Sequence, residues 1–366
     1  MITIPKFEFT DIERIWFSLP PRLGGLGLNI ISEISPIYYS NSKQMTNKLV
    51  MQIINQHRDD QPEIVDSSPQ VKSKIQAEKK EREERKMDFV KSKLNPNQLR
   101  VFEAITEKGA SSWLTALPLK EHELYLNKQT FWDTIYLRYG IQLPRLPTSC
   151  VCGSNFTMEH ALMCMKGGFV TIRHNELRDF TAELLSEICN DVAVEPLLTP
   201  CTGEKFQYKT ANDKEGARVD VAARGVWVRG SKAYFDVRVF NPLAPSYSGQ
   251  TLKTTHKNNE MSKKREYAER ILKIEHGSFT PLVFSSLGGM SVECTHFYNR
   301  LADKISEKRN ISVSKGRAWI RTKLSFSLLR STNLCIRGSR TRTQFGPTAM
   351  ADTNIEMALS MARIED

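Results

Sequence analysis

The stretches RVDVAA at residues 218–223 and AYFDVRVF at residues 233–240 decide the fold. Both are rich in β-branched and aromatic side chains, which favour extended strands. A glycine-containing turn, VRGS at residues 228–231, lies between them and predicts a hairpin. Two strands joined in this way would carry Asp220 and Asp236, sixteen positions apart, to one end of a sheet.

Helices and further strands alternate around this hairpin. Hydrophobic periodicity and strand-like runs predict the elements on both sides of it. These are helices over residues 174–192, 258–275 and 292–308, and strands over residues 192–198 and 280–285. The resulting order, helix–strand–strand–strand–helix–strand, predicts an α+β or α/β fold with a mixed sheet flanked by helices.

The two strand aspartates are candidate ligands for catalytic Mg²⁺, a hard cation that prefers oxygen ligands and keeps several waters. Such a metal can activate water and stabilise the charge that builds on a phosphate during hydrolysis. Glu195 is a candidate for a further ligand or a base. Taken alone, however, an aspartate in a strand is more commonly a solvent-facing residue or an ion-pair partner.

A cation near this site would stabilise the transition state. Lys263 and Lys264 lie on the predicted helix at 258–275, and either of them can supply this charge, with Lys264 our choice. Arg238 is the rival, because residues two apart in a strand share a face of the sheet. Arginine stays protonated and suits the clamping of phosphate.

A Cys/His cluster precedes this domain: Cys150-x-Cys152, then seven residues, His160, then three residues, and Cys164. Four sulfur and nitrogen ligands at such spacing predict a structural zinc knuckle, because a closed Cys₃His shell leaves no open position on the metal. The alternative is a chance grouping of buried cysteines with a helical histidine.

The composition favours an anionic partner. The net charge is +11 and the pI is about 9.2, and nucleic acid is the commonest partner of such a chain. No apolar run approaches the roughly 18 residues of a spanning helix, so we expect no membrane partner. The odd count of seven cysteines favours a reducing, intracellular compartment.

The basic residues concentrate near the C-terminus. Residues 308–350 contain ten Lys or Arg and no acid, a composition that gives sequence-independent affinity for phosphates. The candidates for nucleic-acid contacts are Arg317, Arg321, Lys323 and Arg330. The alternative is that these charges only solubilise a helix whose apolar face, with Ile320 and Leu324, is buried.

Several of these features resemble the C-terminal part of non-LTR retrotransposon proteins, of the type with a restriction-enzyme-like endonuclease after the reverse transcriptase. LPPRLGGLG at residues 19–27 resembles the thumb segment after the polymerase palm, and the Cys/His cluster resembles the family's CCHC knuckle. RHN at residues 173–175 follows it at the expected place. RVD at residues 218–220 resembles the (Arg/Lys)-Pro-Asp motif, Asp236 the second acid, and Lys264 with Tyr267 the downstream helix element.

The resemblance covers most of residues 12–340 and implies a PD-(D/E)XK nuclease that nicks target DNA to prime reverse transcription. It also implies DNA and the RNA of the parent element as partners, and a nuclear location. The chain departs from the pattern at Val219, which replaces the proline, at Arg238, which replaces a lysine, and in its shorter knuckle. No Tyr-x-Asp-Asp is present, so a polymerase centre is missing.

We therefore expect five segments along the chain. These are a helical, thumb-like remnant at 1–68, a charged helix and helical connector at 69–145, the zinc knuckle at 146–170, the nuclease domain at 171–310, and a basic helical segment with a tail at 311–366. The expected function is Mg²⁺-dependent DNA nicking. The alternatives are a catalytically inactive nucleic-acid-binding module and a fragment of a reverse transcriptase protein.

Overall fold

The structure is a computed structural model that describes residues 9–56, 69–338 and 340. The chain divides into two compact units, Met1–Leu99 and Arg100–Asp366, which are described separately. None of the helices in the described ranges is both long and apolar enough to cross a membrane.

The first unit is helical. It contains α1 (Asp11–Ser18), α2 (Ile31–Ile54) and α3 (Pro69–Lys93), and α4 (Pro96–Thr106) begins in it and ends in the second unit. Thr10 and Glu13 form a capping box that starts α1. The indole of Trp16 is buried and donates a hydrogen bond to the carbonyl of Gly24, at 3.1 Å. The glycine-rich segment therefore forms a packed turn against α1.

Helix α3 has the mixed charges expected of a solvated helix. Lys79 and Glu83, and likewise Lys80 and Glu84, stand one turn apart with ion-pair separations of 3.9 and 3.8 Å. Such pairs between residues one turn apart on a helix surface contribute only about 0.3–0.5 kcal/mol each.

The second unit is built on a mixed four-stranded sheet. Its strands are β1 (Asn190–Val194), β2 (Val221–Arg224), β3 (Lys232–Phe240) and β4 (Ser278–Ser285), in the order β1-β2-β3-β4. The first two pairings are antiparallel and β3 pairs with β4 in parallel. A parallel pair needs a crossover connection, and α8 (Leu252–Arg270) supplies it, continued by a π-helical turn, Ile271–Glu275.

Helices cover both faces of the sheet. On one face, α7 (Phe169–Ser186), α9 (Val292–Arg309) and α10 (Val313–Arg337) bury a core that includes Phe235 and Phe297. On the other face, Tyr267 of α8 packs with Tyr234 of β3. The remaining α-helices in the described part of this unit are α5 (Lys128–Tyr139) and the short α6 (Met158–Ala161), and short 3-10 helices lie at Ser112–Leu114, Lys120–His122 and Pro245–Tyr247.

The predicted mixed helix-and-sheet class is confirmed, and the strands follow the predicted order with bounds that differ by a few residues. The strands expected at 233–240 and 280–285 begin slightly earlier, at Lys232 and Ser278. The strand expected at 192–198 ends at Val194, and the one expected at 218–223 begins at Val221. The apolar face predicted for the basic C-terminal helix is also found, since Ile320 and Leu324 lie in the core of the sheet domain.

Candidate functional sites: a carboxylate–lysine cluster and a Cys/His cluster

Asp220 stands immediately before β2, and its backbone is hydrogen-bonded on both sides to neighbouring segments of the sheet. Its N–H donates to the carbonyl of Phe235 at 3.1 Å, and its carbonyl accepts from the N–H of Glu195 at 2.8 Å. Its Oδ2 accepts a hydrogen bond from the N–H of Val237 at 2.5 Å, and its Oδ1 lies 2.9 Å from Nε2 of His174. These hydrogen bonds hold the Asp220 carboxylate against β3, beside Asp236.

Asp236 of β3 is buried and only 4% exposed. Burial and the nearby charge of Asp220 raise the pKa of Asp236 to about 6, because both disfavour its ionised form. A buried carboxyl group whose pKa is raised by a neighbouring carboxylate is a pattern that concentrates at functional sites.

Lys263 of α8 faces this carboxylate. Its Nζ lies 2.9 Å from Oδ2 of Asp236 and 3.4 Å from a carboxylate oxygen of Glu266. Burial alone would lower the pKa of Lys263, but the acids around it outweigh burial and raise it. Lys263 therefore stays charged, and its ammonium also stands 5.4 Å from the ring centroid of Tyr267.

The other predicted site residues have different surroundings. Lys264, the next residue of α8, forms an ion pair with Glu293. Glu195 forms an ion pair with Arg178 of α7. Arg238 follows Asp236 by two residues in β3, on the same face of the sheet, and no hydrogen bond or ion pair of its side chain is found with the described residues. The structure thus places Lys263, and not Lys264, at the aspartates.

His174 enters the cluster from α7, 46 residues before Asp220. Burial would lower the pKa of His174, but the hydrogen bond and charge of Asp220, together with the charge of Asp236, raise it. In the sequence His174 appeared only within the RHN motif of the resemblance and had no role in the site. That motif was the one signal that could have identified it.

The aspartates keep carboxylate oxygens that could accept a hard cation. Within residues 9–56, 69–338 and 340, Asp236 Oδ2 accepts no hydrogen bond of good geometry despite its ion pair. Each oxygen of Asp220 has one partner and keeps acceptor capacity. Mg²⁺ is commonly held by one or two carboxylates and waters, so this donor set fits that ion. No third protein ligand converges on the pair in the described ranges.

The Cys/His cluster converges more closely. The ligand atoms of Cys150, Cys152, His160 and Cys164 all lie within 4.8 Å of one another. The sulfurs of Cys150 and Cys164 are 3.8 Å apart, and the Cys152 sulfur is 3.3 Å from Nε2 of His160. Zn–S bonds of about 2.3 Å in a tetrahedron place two sulfurs about 3.8 Å apart. The cluster can hold a metal ion, and its ligand set is compatible with structural zinc.

Local backbone geometry brings these ligands together. A tight hairpin pairs Ser149 with Asn155, and at its turn Gly153 has a φ of +90°, which glycine adopts without strain. The side chain of Thr157 caps α6 by accepting from the N–H of His160, at 3.1 Å. The next turn returns the chain to Cys164, whose N–H donates to the His160 carbonyl at 2.8 Å.

Hydrogen bonds from Ser154 lower the pKa of the Cys152 thiol to about 6, which favours the thiolate that metals bind.

Arginines from later elements brace this segment. The guanidinium of Arg340 lies 5.1 Å from the ring of Phe156 and 5.2 Å from that of Phe169, and donates to the carbonyl of Ala161 at 3.2 Å. The buried Arg173 donates to the carbonyl of Leu162 at 3.0 Å. The cluster is thus anchored to the sheet domain.

The four basic residues predicted to bind nucleic acid all have partners within the chain. Arg317 forms a bidentate ion pair with Asp303, at 2.9 and 2.8 Å, and Arg321 donates to Asn299 at 3.0 Å. Lys323 lies 3.6 Å from a carboxylate oxygen of Glu123. Arg330 donates to the carbonyls of Glu123 and Tyr125. Their role in nucleic-acid binding stays a prediction.

Comparisons with protein-family models and with curated proteins find no match to this chain.

Proposed function

We propose that this chain is a Mg²⁺-dependent endonuclease that nicks DNA at a centre formed by Asp220, Asp236 and Lys263. The observation that carries this proposal is the buried Asp236, whose carboxylate lies beside Asp220 and faces the ammonium of Lys263 at 2.9 Å. Repulsion disfavours the joint ionisation of two neighbouring carboxylates, and a cation bound to both would relieve it.

Each residue has a defined task in this centre. Asp220 and Asp236 would hold the ion, and His174 and the N–H of Val237 fix the orientation of the Asp220 carboxylate. Lys263 places a fixed positive charge where negative charge develops on the phosphate. When bound, Mg²⁺ supplies a more acidic water and neutralises phosphate charge.

The retrotransposon resemblance supports the same proposal from the order of the motifs. It adds target-site nicking, nucleic-acid partners and a nuclear location. The positive net charge of +11 is consistent with a polyanionic substrate.

The second candidate is an inactive nucleic-acid-binding module. It is favoured by the Lys263–Asp236 ion pair, which already neutralises one of the two carboxylates. In this case the zinc cluster and the basic surfaces would provide the function, and the sheet would be a scaffold.

Nicking of supercoiled plasmid by the purified chain in Mg²⁺ separates the two candidates. We expect Asp220→Asn and Asp236→Asn to abolish nicking while DNA binding in EDTA persists. The matched control is Asp213→Asn, which alters an exposed carboxylate outside the centre. Variants that nick as fast as the parent chain would place the centre elsewhere. A parent chain that binds DNA without nicking it would leave the inactive module.

A further inference from the structure

A groove of about 580 Å³ opens at the hairpin end of the sheet, where the β2–β3 turn meets α9. Its wall contains Arg224 and Arg229 from the hairpin, Arg300 and Lys304 from α9, and the half-buried Trp227. The groove is distinct from the aspartate centre. Four residues of strand separate Arg224 from Asp220, or about 13 Å at the usual rise of a strand.

The charge of this groove is strongly positive. Of these four cations, only Arg224 has an acidic partner among the described residues, namely Asp191, at 2.8 Å on the exposed surface. Arg300 donates to the carbonyls of Val226 and Trp227, and Lys304 donates to those of Gly225 and Val226. These neutral acceptors fix the positions of the two cations without cancelling their charge. Three net positive charges therefore converge on one concave surface.

Two further contacts shape the groove. The guanidinium of Arg300 lies 5.8 Å from the ring centroid of Trp227, so this cation is held on an aromatic wall. Arg229 is exposed at the turn, and its guanidinium has no hydrogen-bond or ion-pair partner in the described part of the chain. Its donors are thus available to a ligand.

One more uncompensated cation lies near the groove, on α10. Arg300 and Lys304 face the hairpin, whereas Asn299 and Asp303, one position earlier in each turn, hold Arg321 and Arg317 of α10. The charge of Arg317 is cancelled by Asp303, whereas Arg321 keeps its charge because Asn299 is neutral. Arg321 therefore adds one cation near the three net charges of the groove, and several cations side by side match an extended polyanion better than a single small ion.

We infer that this groove binds the phosphate backbone of DNA as a second contact, remote from the aspartate centre. Arginine forks bind phosphate oxygens in a bidentate manner, and a cavity of this size admits a nucleotide segment. That the anion is a nucleic-acid phosphate rests on the proposed function. The groove itself requires neither Mg²⁺ nor cleavage.

Fluorescence anisotropy with a labelled DNA duplex, a single strand and an RNA of the same sequence tests this inference in EDTA. Arg229→Ala is the main variant because it breaks no contact within the described chain. We expect it to weaken duplex binding roughly 3- to 10-fold and to lower the slope of log affinity against log salt by about 0.9, the value for one lost phosphate contact. Arg229→Glu should weaken binding further.

The matched controls are Lys128→Ala and Lys128→Glu, which make the same charge changes at an exposed residue outside the groove. We expect both to leave the salt slope unchanged. Arg229 variants that bind like these controls would overturn the inference, as would a parent chain that binds no nucleic acid. Arg229-dependent binding of pyrophosphate with unchanged DNA affinity would assign the groove to a free phosphate ligand instead. If the chain proves to have no nuclease activity, the binding result still stands, because the binding assay contains no divalent metal.

Discussion

Lys263 and Asp236 form an ion pair in which both side chains are largely withdrawn from water, with 2.9 Å between Nζ and Oδ2. Lys264, its neighbour on the same helix, pairs instead with Glu293 at a more exposed position. The two lysines have the same side chain and differ only in their surroundings. Substituting each of them in turn therefore distinguishes a role of Lys263 at the aspartates from a general effect of positive charge on α8.

Lys263→Met should lower the rate of plasmid nicking by about 10²- to 10³-fold, the usual effect of removing one electrostatic stabiliser of a transition state. Lys264→Met should leave the rate within a few-fold of the parent. Equal losses in the two variants would mean that helix charge in general, and not contact with the reacting phosphate, supports nicking. Binding measured in EDTA controls for weaker association.

The stability of the metal-free protein should depend on pH through Asp236. Its pKa is raised from 3.8 in the unfolded chain to about 6 in the fold, so the folded state holds this proton more tightly. Stability from this group is fully present below pH 3.8 and is lost as pH rises through about 6. The full change lowers the free energy of unfolding by about 3 kcal/mol.

Urea unfolding at several pH values, with EDTA present, measures this contribution. Asp236→Asn should remove the decline between pH 4 and 6, because amide groups do not titrate there. The pKa of His174 is also raised, so its stabilising effect is lost as pH rises through the pKa that it has in the folded chain. His174→Gln should therefore remove only the decline in stability at this higher pH. A decline that persists in Asp236→Asn would assign the low window to another carboxylate.

The purified chain should contain one zinc ion, and Cys152→Ser should lose it. Zinc binding contributes about 10–16 kcal/mol in isolated finger peptides, so the hairpin and α6 should lose order with the metal. Cys201→Ser is the matched control, because Cys201 is a free cysteine outside the cluster. Metal analysis and thermal melting check both variants. Full zinc content in Cys152→Ser would contradict the four-ligand site.

Affinity for nucleic acid should fall steeply with salt if the basic helix α10 contacts phosphates. Arg317→Asp should weaken binding to all DNA sequences alike, but it also breaks the ion pair with Asp303. The charge-swapped variant, Arg317→Asp with Asp303→Arg, restores a pair and the net charge. We expect this swap to recover the melting temperature and not the full affinity. Recovery of both would mean that Arg317 acts only through its partner.

Short-range patterns predicted much of this structure. The strands around Asp220 and Asp236 follow from their β-branched and aromatic residues, and the Cys/His cluster follows from ligand spacing within fifteen residues. In both cases the information lies in neighbouring positions, where a turn or a hairpin decides which side chains meet.

Long-range packing decided what the sequence could not reveal. Lys263 and Lys264 differ by about 100° around a helix, and only the docking of α8 on the sheet selects the one that reaches Asp236. The contact of His174 with Asp220 spans 46 residues, and that of Arg330 with Tyr125 spans 205. Composition showed the basic character of α10 and gave no sign of these partners.

The position of α10 also has a consequence for biosynthesis. This helix completes the core on one face of the sheet, and it is the last described helix to leave the ribosome. Until it emerges, apolar side chains of that face that pack against it, such as Phe180 against Trp319, remain uncovered. Nascent chains of this length with uncovered apolar surface are prone to aggregate and are held by chaperones. Translation that stops before residue 313 should therefore yield a chaperone-bound product, whereas completion of α10 releases a folded domain.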